Sequence, residues 1–271
     1  MSGASLRGKT AFVTGAHRGI GRAIVEALAG VGAKVAAADV NPAIAEVAAE
    51  IGERADGLEV IGVQADVTSS DEIAVAVAEA NERLGRIDIL VNNAGIVGTR
   101  ALSWDGDEEV WRRTIDVNLV GTYRVTNAVV PQMVHAQAGR VINIASISGK
   151  QGSTANSAYC ASKHGVVGLT RTLAREFALL GPAADLTANA ICPGVVDTEL
   201  VHGEGGLLDG ITALTGESRE VVMEKYVLTE SLQHRLLEPQ EVADMALYLA
   251  SDRARGITGQ AINVCGGSVF Y

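Results

Sequence analysis

Short apolar runs alternate with segments of helical period from one end of the chain to the other. Runs at 9–14, 34–38, 58–64, 87–91, 141–145, 186–192 and 259–264 predict strands. Several are apolar at successive rather than alternate positions, which suits strands buried on both faces. Between them, 22–29, 42–53, 71–84, 108–135, 158–180 and 239–251 carry apolar side chains at helical spacing. Strand and helix in alternation predict an α/β fold, a doubly wound parallel sheet of about seven strands with helices on both faces. The rhythm breaks over 200–237, where Gly203, Gly205, Gly206, Gly210 and Gly216 interrupt two short helical patterns, 207–214 and 218–229. A glycine-rich segment of this kind can close over a ligand, so 200–237 is expected to be a substrate-covering lid. With no repeat, low-complexity tract or linker, 1–271 reads as one domain.

Composition narrows the partners. A net charge of −10 without any Lys/Arg run argues against nucleic acid or an anionic membrane surface. Cys160, Cys192 and Cys265 match neither a disulfide framework nor a metal-ligand pattern, and no metal is expected. Cys160 has no His/Asn partner pattern around it and reads as a small packing residue. Residues 1–7 lack the apolar core of a signal peptide, and no apolar run reaches membrane-spanning length, so a cytoplasmic protein is expected.

Candidate chemistry collects at the carboxyl ends of the predicted strands. After the first comes Thr14-Gly15-Ala-His-Arg18-Gly19-Ile20-Gly21, then a helix. This order sets backbone N–H groups and a positive helix end at one place, fit for a phosphate or pyrophosphate. Its Gly-x3-Gly-x-Gly spacing differs from G-x-G-x-x-G, and a purely structural turn stays open. Asp39 ends the second strand, where a carboxylate can accept both ribose hydroxyls of an adenosine and repel a 2′-phosphate. That favours NAD over NADP, although Arg18 in the turn can meet such a phosphate. Asp66, followed by Val67, either accepts from an adenine amino group or caps the next helix. Asn92-Asn93-Ala94-Gly95 offers small residues for close approach to a flat ligand, or side-chain amides that hold neighbouring strands in register. Asn118, polar on a packing helix, either bonds a neighbouring carbonyl or holds a water. Pro193-Gly194-Val195-Val196-Asp197-Thr198 follows the sixth strand.

Ser146 follows the fifth strand and can donate to a substrate oxygen. Tyr159 and Lys163 stand four apart at the head of a helix and share one face. A free tyrosine titrates near ~10, and a nearby ammonium favours its phenolate. Such a pair is a plausible proton-transfer device, although the spacing alone is also met between ordinary neighbours.

Taken in order, Thr14-Gly-x3-Gly-Ile-Gly21, Asn92-Asn-Ala-Gly95, Asn118, Ser146, Tyr159-x3-Lys163, Pro193-Gly194 and Gly259-Gln-Ala-Ile-Asn-Val-Cys-Gly-Gly267 resemble the short-chain dehydrogenase/reductase family over nearly the whole chain. The resemblance implies a Rossmann-like fold, a homotetramer and reversible hydride transfer between a secondary alcohol and nicotinamide. It implies Tyr159 as acid/base and Ser146 as the residue orienting the substrate oxygen. Lys163 would lower the tyrosine pKa and bind the nicotinamide ribose, and Asn118 would hold a water that links Lys163 to solvent. Gly15, Arg18, Gly19, Ile20, Gly21, Asp39, Asp66, Val67, Asn93, Ala94, Gly95, Pro193, Gly194, Val196 and Thr198 would hold the cofactor with Tyr159 and Lys163. Val97, Ile147, Ser148, Gln151, Val195 and Leu200 are the expected substrate pocket. Val97, Ser148 and Val195 stand where 3-hydroxybutyrate dehydrogenases place polar side chains, which disfavours a small hydroxy acid. The expected activity is NAD-dependent oxidation of a polyol, diol, or cyclic or hydrophobic alcohol. The alternative is an NADPH-dependent 3-oxoacyl or polyketide-type ketoreductase, which the ending Asn263-Val-Cys-Gly-Gly267 resembles. A non-catalytic NAD sensor is disfavoured because tyrosine and lysine are both present.

Overall fold

The computed structural model describes residues 5–54 and 59–271. Among them, strands β1 (Thr10–Thr14), β2 (Lys34–Asp39), β3 (Val60–Gln64), β4 (Ile89–Asn92), β5 (Ala138–Ile144), β6 (Asp185–Pro193) and β7 (Ala261–Val264) form one sheet in the order β3-β2-β1-β4-β5-β6-β7. Every pairing is parallel. Successive residues of a strand face opposite sides, so an all-apolar run feeds two cores at once. Ala11 and Val13 pack in one core and Phe12 in the other; Val35 and Ala37 join the first, Ala36 and Ala38 the second. The first core is covered by α1 (Gly19–Gly30), α2 (Ile44–Arg54) and, late in the chain, α10 (Pro239–Ala250). The second is covered by α3 (Ser70–Leu84), α5 (Gly121–Ala136) and α6 (Ser157–Phe177). No described helix is long and apolar enough to cross a membrane.

Most predicted elements appear with ends moved by one to three residues; the third predicted strand begins at Leu58, outside the described residues. Two differences have clear causes. The segment expected as one helix over 108–135 consists of α4 (Glu108–Ile115), a π turn over Asp116–Val120, and α5. The π turn inserts an i→i+5 bond, Gly121 N–H to the Asp116 carbonyl, that apolar spacing does not reveal. The segment expected as a lid, 200–237, overlaps α7 (Glu199–His202), too short to show a period, and contains α8 (Leu207–Thr215) and α9 (Arg219–Val222). Its second helical pattern runs on from α9 through a π turn, Met223–Val227, into a 3-10 turn, Leu228–Glu230.

The chain order reverses between β1 and β4, the strands that begin the sheet's two halves. Carboxyl ends on either side of such a switch leave a crevice, and the candidate residues lie there.

Candidate active site

The turn after β1 takes its shape from glycine. Gly15 and Gly19 have φ of +64° and +57°, a region that side-chain-bearing residues rarely enter. A Cβ on Gly15 would lie 2.7 Å from Ala94 Cα, and one on Gly21 only 2.0 Å from the Gly15 carbonyl oxygen. Thr14 Oγ1 accepts from the backbone N–H groups of Asn93 (3.0 Å) and Ala94 (3.1 Å). Asn93 Nδ2 in turn donates to the carbonyls of Thr14 (3.0 Å) and Gly15 (2.9 Å). Asn93 thus ties the two strand tips together, the register role among those expected of it. At α1, Arg18 supplies no side-chain cap and the first turn holds no acid. The helix's leading N–H groups remain free donors at its positive end.

Asp39 closes β2 beside this turn. Its carboxylate accepts from His17 N–H (3.0 Å) and Asn41 N–H (2.9 Å), which fixes it in the cleft wall. A carboxylate has about four lone-pair sites, so acceptor capacity remains. Asp66 is not the cap of α3. Ser69 Oγ accepts from Glu72 N–H, while Glu72 reaches back to Asp66 N–H and Asp66 Oδ1 accepts from Thr68 N–H. The cap falls to the serine because its hydroxyl reaches the third helical N–H; Asp66 still faces the cleft.

Ser146 lies two residues past β5 and starts a 3-10 turn, Ile147–Gly149, its Oγ accepting from Ser148 N–H at 3.1 Å. Tyr159 and Lys163 lie on the first turns of α6, as their spacing requires, with Lys163 Nζ 5.6 Å from the centre of the tyrosine ring. Lys163 is 4% exposed and donates to the Ile144 carbonyl at 2.9 Å; burial pushes its pKa down to about 8. Burial pushes the Tyr159 hydroxyl above its usual value, opposed by the Ser146 hydroxyl beside it and by the charge of Arg100.

Asn118 is fully buried in the π turn. Its Oδ1 accepts from Ile96 N–H and its Nδ2 donates to the Ile96 carbonyl, both at 2.8 Å, and to Ser162 Oγ at 3.1 Å. Of the two uses open to it, the bond to a neighbouring carbonyl is the one seen. A Cβ on Gly95 would lie 3.2 Å from Asn118 Oδ1 and 3.5 Å from Lys163 Nζ, so only glycine leaves this spot open.

These groups share a cleft of ≈ 1480 Å³. All the expected cofactor and pocket residues line it except Gly21, which lies beneath the turn; of the catalytic four, only Asn118 does not. The segment 200–237 forms one wall through Leu207, Ile211, Tyr226 and Glu230. Arg100 also lines the cleft, and no sequence signal marks it: a lone arginine between threonine and alanine in a loop has no spacing to read. The site fits a dinucleotide. It offers uncapped helix N–H groups beside a glycine cradle that a Cβ would fill, an acceptor in Asp39, and a buried ammonium next to a tyrosine.

A family model for short chain dehydrogenases matches residues 9–205. A Streptomyces virginiae protein assigned as a ketoacyl reductase of monensin polyketide synthase is 41% identical over 263 residues, covering 96% of each chain. A 3-oxoacyl-[acyl-carrier-protein] reductase of Staphylococcus epidermidis is 37% identical over 264 residues, covering 96% of this chain and 98% of the relative. Among solved structures, an actinorhodin polyketide ketoreductase variant with NADPH superposes with a TM-score of 0.87 at 36% identity, covering 97% of this chain and 98% of that one. Levodione reductase gives 0.88 at 31% identity, covering 98% and 99%.

Proposed function

The chain belongs to the short-chain dehydrogenase/reductase family, and on that premise we propose that it is an NAD-preferring oxidoreductase that interconverts a secondary alcohol and a ketone. Asp39 carries the nucleotide choice. Two backbone N–H groups hold its carboxylate in the cleft wall, where spare lone pairs suit ribose hydroxyls and the negative charge disfavours a 2′-phosphate. The turn at Gly15–Gly19, the free donors of α1, Asp66, and Lys163 would hold the remainder of the cofactor. When bound, its nicotinamide supplies or accepts the hydride.

The chain's own residues handle the proton. Ser146 and Tyr159 face the cleft side by side, able to bond one reacting oxygen between them, so that stabilisation acts where charge develops. Tyr159 holds its proton at neutral pH because burial disfavours the phenolate, which suits it to protonate an alkoxide during reduction. Oxidation runs from the phenolate: the hydroxyl first loses its proton to solvent, and the phenolate then takes the proton of the alcohol. Lys163, buried beneath it, adds positive charge on the same face of α6. The segment 200–237 serves as lid in this reading.

A second reading, an NADPH-dependent ketoreductase, is favoured by Arg18. That side chain is exposed at the glycine turn, lines the cleft, and makes no ion pair among the described residues. The reductase activities named for the relatives above point the same way. Fluorescence titration with NADH and NADPH discriminates between the two. Tighter NADH binding, with Asp39→Ala eroding the preference about tenfold or more, is the expected outcome. Tighter NADPH binding that is unmoved by Asp39→Ala would transfer the choice to Arg18.

A further inference from the structure

Ser146 reaches the cleft from a turn that has few bonds of its own. Gly149 N–H donates to the Ser146 carbonyl, and the N–H groups of Lys150 and Gln151 donate to the Ile147 carbonyl. A single 3-10 turn has poor hydrogen-bond geometry, so its position depends on what packs around it. On one side lies α6: a Cβ on Gly149 would come within 2.7 Å of the Lys163 carbonyl oxygen. On the other lies the segment after β7. Lys150 Nζ donates to the carbonyl of Ala261, the first residue of β7, and to the main-chain oxygen of Tyr271, both at 2.6 Å. Hydrogen bonds from an ammonium are roughly twice as strong as neutral ones. Ile147 packs with Cys265 and Val269 in a small apolar cluster separate from the two cores of the sheet. The segment 265–271 is itself folded back: Asn263 Nδ2 donates to the Val269 carbonyl at 2.9 Å and Ser268 Oγ to the Cys265 carbonyl at 2.7 Å. Lys150 does not border the cleft, whereas Ser146 and Ile147 do.

We propose that Lys150 is a positioning residue: anchored to Ala261 and Tyr271, it holds the turn that presents Ser146 to the reacting oxygen. The serine is sensitive to that turn because its Oγ accepts from Ser148 N–H, a donor within the turn itself. That bond occupies a lone pair and leaves the hydroxyl proton to be donated elsewhere. A turn that shifts carries the Ser148 donor with it and re-aims the hydroxyl. Small misplacements of a group that stabilises developing charge are costly in rate. The segment after β7 thus acts on the chemistry from outside the cleft, through Lys150 and through the Ile147 contact. The inference rests on the role of Ser146 proposed above and holds for either nucleotide.

A double-mutant cycle tests it, on reduction of cyclohexanone and 2-octanone with whichever nucleotide binds more tightly. Ser146→Ala should lower kcat about a hundredfold, and Lys150→Met about tenfold with KM changed less than about twofold. In the Ser146→Ala background, Lys150→Met should change kcat less than about twofold, because a residue that acts through the serine has nothing left to position. Lys150→Arg should recover part of the loss. Val269→Ala, which thins the apolar contact and leaves Lys150 untouched, should act in the same direction by a smaller factor. Nucleotide affinity, unchanged in every variant, reports that each is folded. Equal effects of Lys150→Met in both backgrounds, no effect in either, or a matching loss of nucleotide affinity would overturn the assignment of Lys150 and leave the role of Ser146 intact. Undiminished turnover in Ser146→Ala, or nucleotide binding without turnover of either ketone, would sink the underlying reading and the inference with it.

Discussion

The proposed proton chemistry rests on buried Lys163 and on Tyr159, which is partly exposed at the cleft, two groups whose charged states the protein disfavours. Lys163 is held at about 8, against 10.5 for a free lysine, because burial disfavours its ammonium. Between those values the folded chain binds fewer protons at this residue than the unfolded chain does. The penalty Lys163 places on the fold is therefore full below pH 8 and is relieved as the pH rises from about 8 towards 10.5. A pKa displaced by one pH unit corresponds to ~1.4 kcal/mol. The unfolding free energy of the wild type, measured in urea, should thus gain on that of Lys163→Met by on the order of 2 kcal/mol between pH 8 and 10. Parallel curves over this range would place the ammonium in a solvated site. Tyr159, whose pKa is raised, works in the opposite sense only as the unfolded tyrosine titrates, near ~10 and above. The pairing of Tyr159 and Lys163 is legible in the chain because helical geometry alone places residues four apart together. Their depressed and raised pKa values are not, since they come from the residues packed over them.

At the scale of elements, the least legible feature is the joint between α4 and α5. The apolar period runs through 108–135 without interruption, and nothing in it signals a π turn. Asn118 is visible as a polar residue out of place, but its partners lie 22 and 44 positions away at Ile96 and Ser162. Through them it clamps the loop after β4 to the helix that carries Tyr159; Ser162 Oγ itself donates to the Tyr159 carbonyl at 2.8 Å. Asn118→Ala would leave both backbone groups of Ile96 without their side-chain partner. At about 1–3 kcal/mol for a buried unsatisfied group, the variant should lose several kcal/mol in urea unfolding, and its nucleotide affinity should fall because Gly95 borders the same space. A loss below about 1 kcal/mol would mean that water replaces the amide at little cost. The strands are far more legible. An apolar run followed by a chemically distinctive tip predicts both a buried strand and where its useful end lies.

Across the whole molecule, the sheet and the segment 200–237 are built on different cores. Strands β1 to β6 contribute to clusters on the two faces of the sheet, whereas Val201, Leu208, Val222 and Val227 form a separate cluster with Val195, Leu207, Ile211, Met223, Tyr226 and Leu236 around it. The glycines that mark this segment in the sequence set where its short helices stop: Gly216 ends α8 with a φ of +72°. The small cluster follows from those short helices, none of which offers a face long enough to join the main core. Segments with few core contacts open at less than the global cost. Amides of 199–230 should therefore exchange with deuterium faster than those of β1, β4 and β5. Thr198, Glu199, Leu200 and Val201 border the cleft beside the glycine turn, so saturating NADH should slow exchange over 199–230 by more than it slows the sheet. Uniform protection of 199–230 and the sheet without nucleotide, unchanged on adding it, would mean that the wall is rigid and that ligands enter by another route. The expected result would couple nucleotide binding to the wall that carries Leu207, Ile211 and Tyr226, so that filling one part of the cleft shapes another.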